Sequence, residues 1–463
     1  MTETAAGRPN ASARTRSAPG TARTGPPSAS TGAKRRRALA AGAIGYFIDQ
    51  FDIYLPVIAL APAIHYFEPK TLSAGTASII LAFVFTAALI GRPIGAALFG
   101  VIADKAGRRR STIIALAGIA VTTLLIALLP GYATLGLGGV GLLIMLRLVD
   151  GIFLGGEYTA AIPLAMEWTP HRRRGLVSGL ITATSPGALC LISALTLLLL
   201  QFFPAGSPAS AYAVWGWRIP FAAGALLAAG FLVYVVRRVP ESEAWAGAGQ
   251  AARRASPLRE LFTGATRRSL AQVFVLMTGV WVALDISASV LPGLAQKAAG
   301  LSGTQLTLAL LTASGISALT YPPAGMLSQK IGRRPFYIAA GTLIVVAGGG
   351  TTALLTTVAS PGFAVATVLL TVAFTTGILT FGPIAAYMTE RFPSHLRATG
   401  YGIGYSLALV IPAFYAYYLV GLSHLVTATY APALLMAIGG LLVAVGGAIG
   451  PETRNADMHA DQA

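Results

Sequence analysis

The stretch GVIADKAGRRR, Gly100 to Arg110, lies between two long apolar runs, and its reading decides that of the whole chain. A degraded copy, GMLSQKIGRRP from Gly325 to Pro335, recurs 225 residues later. A short basic loop punctuated by glycine, found once per half, means two related helical bundles joined in tandem. The duplication goes further. Glu167-Trp-Thr-Pro170-His-Arg-Arg-Arg174 and Glu390-Arg-Phe-Pro393-Ser-His-Leu-Arg397 share an E-x-x-P-x-x-x-R spacing. Pro240-Glu241-Ser242 is echoed by Pro451-Glu452-Thr453. Three such pairs in the same order are not chance.

Composition points to a membrane protein. The 463 residues are 55% hydrophobic and 11% charged, against about 25% charged in a soluble domain, and the mean hydropathy is +0.70. Apolar runs of about 20 residues read as transmembrane helices. Twelve are predicted, over 38–64, 76–103, 111–130, 138–166, 176–202 and 217–236 in the first half. The second half has 270–293, 304–326, 336–358, 363–388, 398–420 and 430–450. The predicted chain is therefore an all-α membrane protein of two pseudo-symmetric six-helix bundles, 38–236 and 270–450. A central loop (237–269) joins the bundles, and tails flank them over 1–37 and 451–463. The first tail is rich in Ala, Gly, Pro, Ser, Thr and Arg and has little to bury, so it is expected to be disordered. The run after it exceeds the ~7–15 residues of a signal-peptide core and holds Asp49 and Asp52, so it is expected to be a retained helix.

The net charge of +17 would suggest nucleic acid in a soluble protein, but topology explains it better. With the N-terminus inside, 28 of the 33 Lys and Arg fall in tails and loops on one side. The positive-inside rule then places both termini in the cytoplasm, in a multi-pass protein of the plasma membrane. The single cysteine, Cys190, excludes a disulfide within the chain and a thiolate metal cluster. No H-x-x-x-H, Walker loop or nucleophile elbow is present, so no enzyme, metal or cofactor is expected.

Several motifs together resemble the metabolite:H⁺ symporter branch of the major facilitator superfamily of transporters. They are GRPIGAALFG (Gly91–Gly100), RLVDGIFLGGEY (Arg147–Tyr158), WGWRIPF (Trp215–Phe221) and ERFPSHLRATGYG (Glu390–Gly402), besides the repeated loop. DQFDIYLP (Asp49–Pro56) departs from that branch and is similar to the paired aspartates of aromatic-acid:H⁺ symporters. The PES and PET marks look like those of sugar porters, but no sugar-porter glutamine motif stands in span seven. The resemblance implies a central cavity lined by spans one, four, seven and ten. It also implies a charge network on the cytoplasmic side that holds the outward-open state. Gly100, Asp104, Gly107, Arg108, Arg109, Glu167 and Arg174 would build this latch in the first half. Gly325, Gly332, Arg333, Glu390 and Arg397 would build it in the second. In the loops themselves, Asp104 can face the positive end of a helix, and Arg108 and Arg109 can pair with acids at helix ends. Gln329 stands where the first copy has Asp104, so the second latch is expected to be weaker.

Burying a charge costs about 2.5–3.5 kcal/mol on insertion scales, so ionisable residues inside spans are functional candidates. Asp49, Asp52, Glu157 and Asp285 are the expected proton carriers. Asp49 and Asp52 share a helix face, and two carboxylates that close cannot both ionise cheaply in a low dielectric. Asp285-Ile286 in span seven is the counterpart of Asp52-Ile53. Arg147 can pair locally with Asp150, and Arg92 has no acid nearby in sequence, so Arg92 and Arg147 are candidate anchors for a substrate carboxylate. Arg218, at the outer start of span six, is as well explained by snorkeling. Tyr46, Tyr54, Trp281 and Tyr387 lie at similar levels and could stack on a substrate.

The expected function is proton-coupled symport of a small organic acid or related polar metabolite by alternating access. Its partners would be that substrate (an organic anion), protons and the lipid bilayer. The alternative is a proton-coupled antiporter exporting drugs or metabolites. TSPGALC (Thr184–Cys190) lacks the GPxxGG pattern expected of that branch.

Overall fold

The computed structural model describes residues 29–69, 74–247, 257–358 and 361–458. In the first half, α1 runs Ala29–Leu55 and continues through wider and tighter turns to Phe67. It is followed by α2 (Ala74–Ala106), α3 (Arg108–Ala127), α4 (Leu137–Glu167), α5 (His171–Phe202) and α6 (Tyr212–Arg238). The second half has α7 (Gly264–Ala299), α8 (Gly303–Ile331), α9 (Arg333–Thr357), α10 (Phe363–Glu390), α11 (Ser394–Leu422) and α12 (Ala431–Ile449). Among the described residues eleven of these are long and apolar enough to cross a membrane. The twelfth, α8, has 29 residues but carries several Ser and Thr and the Pro322-Pro323 pair. Exposed Leu226, Leu319 and Tyr417 stand on the outer surface, where only lipid would cover them.

Every predicted span has its helix. The largest differences are at α1, which starts at Ala29 instead of Ala38, and at α7, which extends from Gly264 to Ala299 instead of 270–293. The predicted tail therefore loses its last residues to α1, and positions 1–28 lie outside the described residues. So do 248–256 of the central loop and 459–463 of the terminal tail. Within 451–458 the chain is not a loose end, because Met458 is buried and Glu452 caps a helix.

Two features position the site. The first is close approach of α2 and α4. A Cβ on Gly155 would meet the Arg92 carbonyl, and one on Gly151 the Ala88 carbonyl. Glycine at both places lets the helix backbones touch, so Arg92 is set deep in the first bundle. The second is a pair of matching helix irregularities. A π turn at Pro56–Leu60 follows Asp52 in α1, and another at Ile286–Val290 follows Asp285 in α7. Pro292 explains the latter, since it has no N–H to donate to the preceding turn.

Candidate functional site

At mid-membrane, Asp49 of α1 accepts from Arg92 of α2. The guanidinium Nη2 donates to Oδ1 at 3.0 Å and to Oδ2 at 2.8 Å, and Gln50 Nε2 donates to Oδ2 at 2.8 Å. Arg92 thus has an acid after all, supplied by another helix, which corrects the expectation that it stands unpaired. Both bonds come from Nη2, so the other edge of the guanidinium is not engaged by Asp49. The guanidinium lies 4.8 Å from the centroid of the Tyr158 ring.

Asp52 turns elsewhere. Its Oδ1 accepts from Arg147 Nη1 at 2.6 Å, and its Oδ2 accepts from Thr123 Oγ1 at 2.6 Å. The same Nη1 donates to Asp150 at 2.6 Å, and Thr122 donates to the other Asp150 oxygen at 2.6 Å. Residues three apart on an α-helix point about 60° apart. Asp49 and Asp52 therefore reach different neighbours, each with its own base, although Asp49 still lies within electrostatic reach of Asp52. Both carboxylates take the same Nη1 of Arg147, and its Nε and Nη2 are buried without a hydrogen-bond partner.

Two acids have no base. Glu157 is fully buried on α4, and neither of its carboxyl oxygens has a hydrogen-bond partner. Its head fills the space left by the missing side chain of Gly45, within electrostatic reach of Asp49 and Arg92. Asp285 enters none of the ion pairs among the described residues, and Tyr54 lies near enough to feel Asp49, Arg92 and Asp285.

A tyrosine cluster joins the halves beside these charges. Tyr158 bonds Ser406, Tyr46 and Tyr405 hydroxyls lie 3.4 Å apart, and Trp281 Nε1 donates to the Tyr405 carbonyl at 3.0 Å. The Tyr158 and Trp281 rings are each 5.0 Å from that of Tyr405, and Tyr401 stacks on Tyr405 at 5.9 Å. Tyr387 is not brought here. It accepts from Gln272 near the end of α12 and packs on Tyr337, so its candidacy as a substrate contact is corrected.

On the face carrying the basic loops, the expected latch residues meet across the halves. Asp104 accepts from Ala398 N (3.2 Å), Thr399 N (2.9 Å) and Thr399 Oγ1 (2.6 Å) at the start of α11, the positive end of that helix. Gly100 lies against Thr399, and Gly325 against Gly175. Arg108 donates to Asp104 at 2.7 Å and to the Ser394 carbonyl at 2.6 Å, and lies 3.5 Å from Glu167. Glu167 accepts from Arg397 of the other half at 2.8 Å, while Arg174 lies 3.9 Å from Glu390, which also holds Arg333 at 3.1 Å. Arg109 departs from its expected pairing with an acid, since its guanidinium donates to the Val236 carbonyl. Hydrogen bonds between the halves lie here, between Ala386 N and Ser178 Oγ (3.2 Å), and at the tyrosines. The basic face is shut.

Reading the sequence missed several partners. Glu241 accepts from the backbone N–H groups of Arg108 (3.0 Å) and Arg109 (3.2 Å), and Glu452 does the same for Arg333 (2.9 Å) and Arg334 (3.2 Å). Each carboxylate lies against a glycine at positive φ, Gly107 (107°) or Gly332 (110°), where a side chain would be strained and would collide. The repeated Pro-Glu pair was the signal. Tyr158, Tyr401, Tyr405 and Ser406 were missed too, although Tyr401 and Tyr405 are four apart and so share a helix face.

Comparison with known proteins agrees with this geometry. The model of the Major Facilitator Superfamily matches residues 42–416. The alpha-ketoglutarate permease of Escherichia coli is 32% identical, covering 81% of this chain and 85% of its own. The inner membrane metabolite transport protein YhjE of the same organism is 30% identical, covering 83% and 87%. A citrate-proton symporter of Klebsiella pneumoniae is 30% identical, covering 83% and 84%. Among solved structures the proton:xylose symporter XylE superposes with a TM-score of 0.74 at 19% identity, covering 91% of this chain and 97% of its own. A duplicated bundle of twelve helices, buried charges at its centre and a matching family model lead to one conclusion: the chain is a membrane transporter and belongs to the major facilitator superfamily.

Proposed function

We propose that the protein is a proton-coupled symporter that imports a small organic acid or related polar metabolite across the plasma membrane by alternating access. The basic face and both termini are assigned to the cytoplasm, which the bias of 28 of 33 Lys and Arg supports. The observation that carries the reading is the Asp49–Arg92 ion pair. While Asp49 is ionised it occupies Arg92. A proton on Asp49 removes that charge, and a substrate carboxylate can then take the same guanidinium. Proton and anion therefore bind together more readily than either alone, which is the condition for symport. Glu157, with both oxygens unpaired beside this pair, is a second place for a proton. Similarity to a citrate-proton symporter and an alpha-ketoglutarate permease favours a carboxylate substrate.

Proteoliposome transport tests the reading. Proton uptake on adding each compound of a metabolite panel identifies the substrate. Asp49→Asn should then lose accumulation driven by a proton gradient yet keep exchange of labelled for unlabelled substrate. Full accumulation by Asp49→Asn would overturn the coupling through this pair, and a transported compound with no anionic group would overturn the role of Arg92 as a carboxylate anchor.

A further inference from the structure

We propose that Tyr158 is a positioning residue that ties the Asp49–Arg92 charge site to the gate between the two halves. The proposal rests on the reading of that pair as the site of the carboxylate and the proton. Tyr158 does two things at once. The face of its ring seats the Arg92 guanidinium, 4.8 Å from the ring centroid, an attraction that strengthens when the charge is desolvated. Its hydroxyl bonds Ser406 on α11, in the opposite half. The donor follows from the neighbours. Ser406 Oγ donates its one proton to the Gly402 carbonyl at 2.9 Å, so it accepts from the Tyr158 hydroxyl. Tyr158 and Ser406 are both fully or almost fully buried, so no water replaces this bond.

The position makes the bond a gate. Tyr158 lies nine residues from the basic-face end of α4, and Ser406 nine from the start of the main helix of α11 at Arg397. Both therefore sit about 13 Å above the latch, between it and the charge site. Opening the basic face separates α4 from α11, which breaks the Tyr158–Ser406 bond before anything at the centre can leave. The second rung is Tyr46–Tyr405, whose hydroxyls at 3.4 Å are loosely bonded. The charged groups around Tyr158 are Arg92 and, beyond it, Asp49 and Glu157. While Arg92 stays on the ring and the ring stays on α11, the closed state of the gate is favoured.

Two matched substitutions separate the parts. Tyr158→Phe keeps the ring face and removes only the hydroxyl, and Ser406→Ala removes the acceptor. The full-length protein, with Cys190→Ser and spin labels at Arg172→Cys and Arg334→Cys, would be measured in lipid nanodiscs without substrate. Both label sites are exposed, one in each half on the basic face. Each variant should raise the population with widely separated labels about three- to tenfold, the weight of one hydrogen bond. The double variant should go no further than either single one, since both remove the same bond. Substrate affinity should fall less in Tyr158→Phe, which keeps the ring under Arg92, than in Tyr158→Leu, which loses it. Unchanged label separations in both single variants, additive effects, or a loss of affinity in Tyr158→Phe equal to that of Arg92→Gln would overturn the proposal. The label distances need neither proton nor substrate, so their failure is distinct from that of the coupling reading, which Asp49→Asn decides.

Discussion

On the basic face the two halves of the molecule are near copies, and at mid-membrane they are not. Gly107 with Glu241 and Gly332 with Glu452 build the same cap twice, down to φ angles of 107° and 110°. At the centre the first half holds Asp49, Asp52, Asp150, Glu157, Arg92 and Arg147, whereas the second holds Asp285 and a wall of aromatic rings. Rocking of two bundles needs matched hinges and latches, so the duplicated loops keep their form. On the proposed reading, binding and proton coupling need one site, which gathering the charges in one half supplies. On that reading the symmetric part supports motion and the asymmetric part chemistry.

The asymmetry is most exposed to test at Arg147. Arg147→Gln leaves Asp52 and Asp150 buried without their base, which should destabilise the first bundle by about 3–5 kcal/mol. Thermal unfolding in detergent measures it, and a change near zero would mean that the two acids are neutral and the triad is not an ion cluster. Arg92→Gln comes next, with an expected loss of substrate affinity of about ten- to hundredfold, the weight of one charge-assisted hydrogen bond. Arg92→Lys should fall between, because the charge remains and the planar fork does not.

The symmetric face should respond in matched pairs. Glu241→Ala and Glu452→Ala each remove an anionic cap within one half, so each should lower stability by about 1 kcal/mol, measured by thermal unfolding in detergent. A large effect from one and none from the other would break the equivalence of the two copies. Asp104→Asn, in the first copy only, should slow transport while affinity stays within about threefold, because Asp104 touches α11 and no substrate. The smallest effect is expected at Asp285, where no buried base is left behind. Asp285→Asn should cost less stability than Arg147→Gln, because no base loses its partner. If it abolished accumulation as fully as Asp49→Asn, the chemistry would be shared between the halves.

The sequence by itself determined a good deal. Hydropathy runs place every membrane helix, since about 20 apolar residues can be accommodated in a bilayer only as a helix with its backbone bonds satisfied internally. The repeated loops and the Pro-Glu marks disclose the duplication, and the rarity of buried charge singles out Asp49, Asp52, Arg92, Arg147, Glu157 and Asp285 without any coordinates. Only the tertiary structure decided who pairs with whom. Arg92 finds Asp49 from 43 positions away, and Arg397 crosses to Glu167 from 230 away. Periodicity reports which side of a helix a residue occupies but not which helix faces it, and a salt bridge depends on that second fact. The same limit hid Tyr158, whose aromatic ring in an apolar helix looks like packing until Arg92 is seen on its face and Ser406 at its hydroxyl.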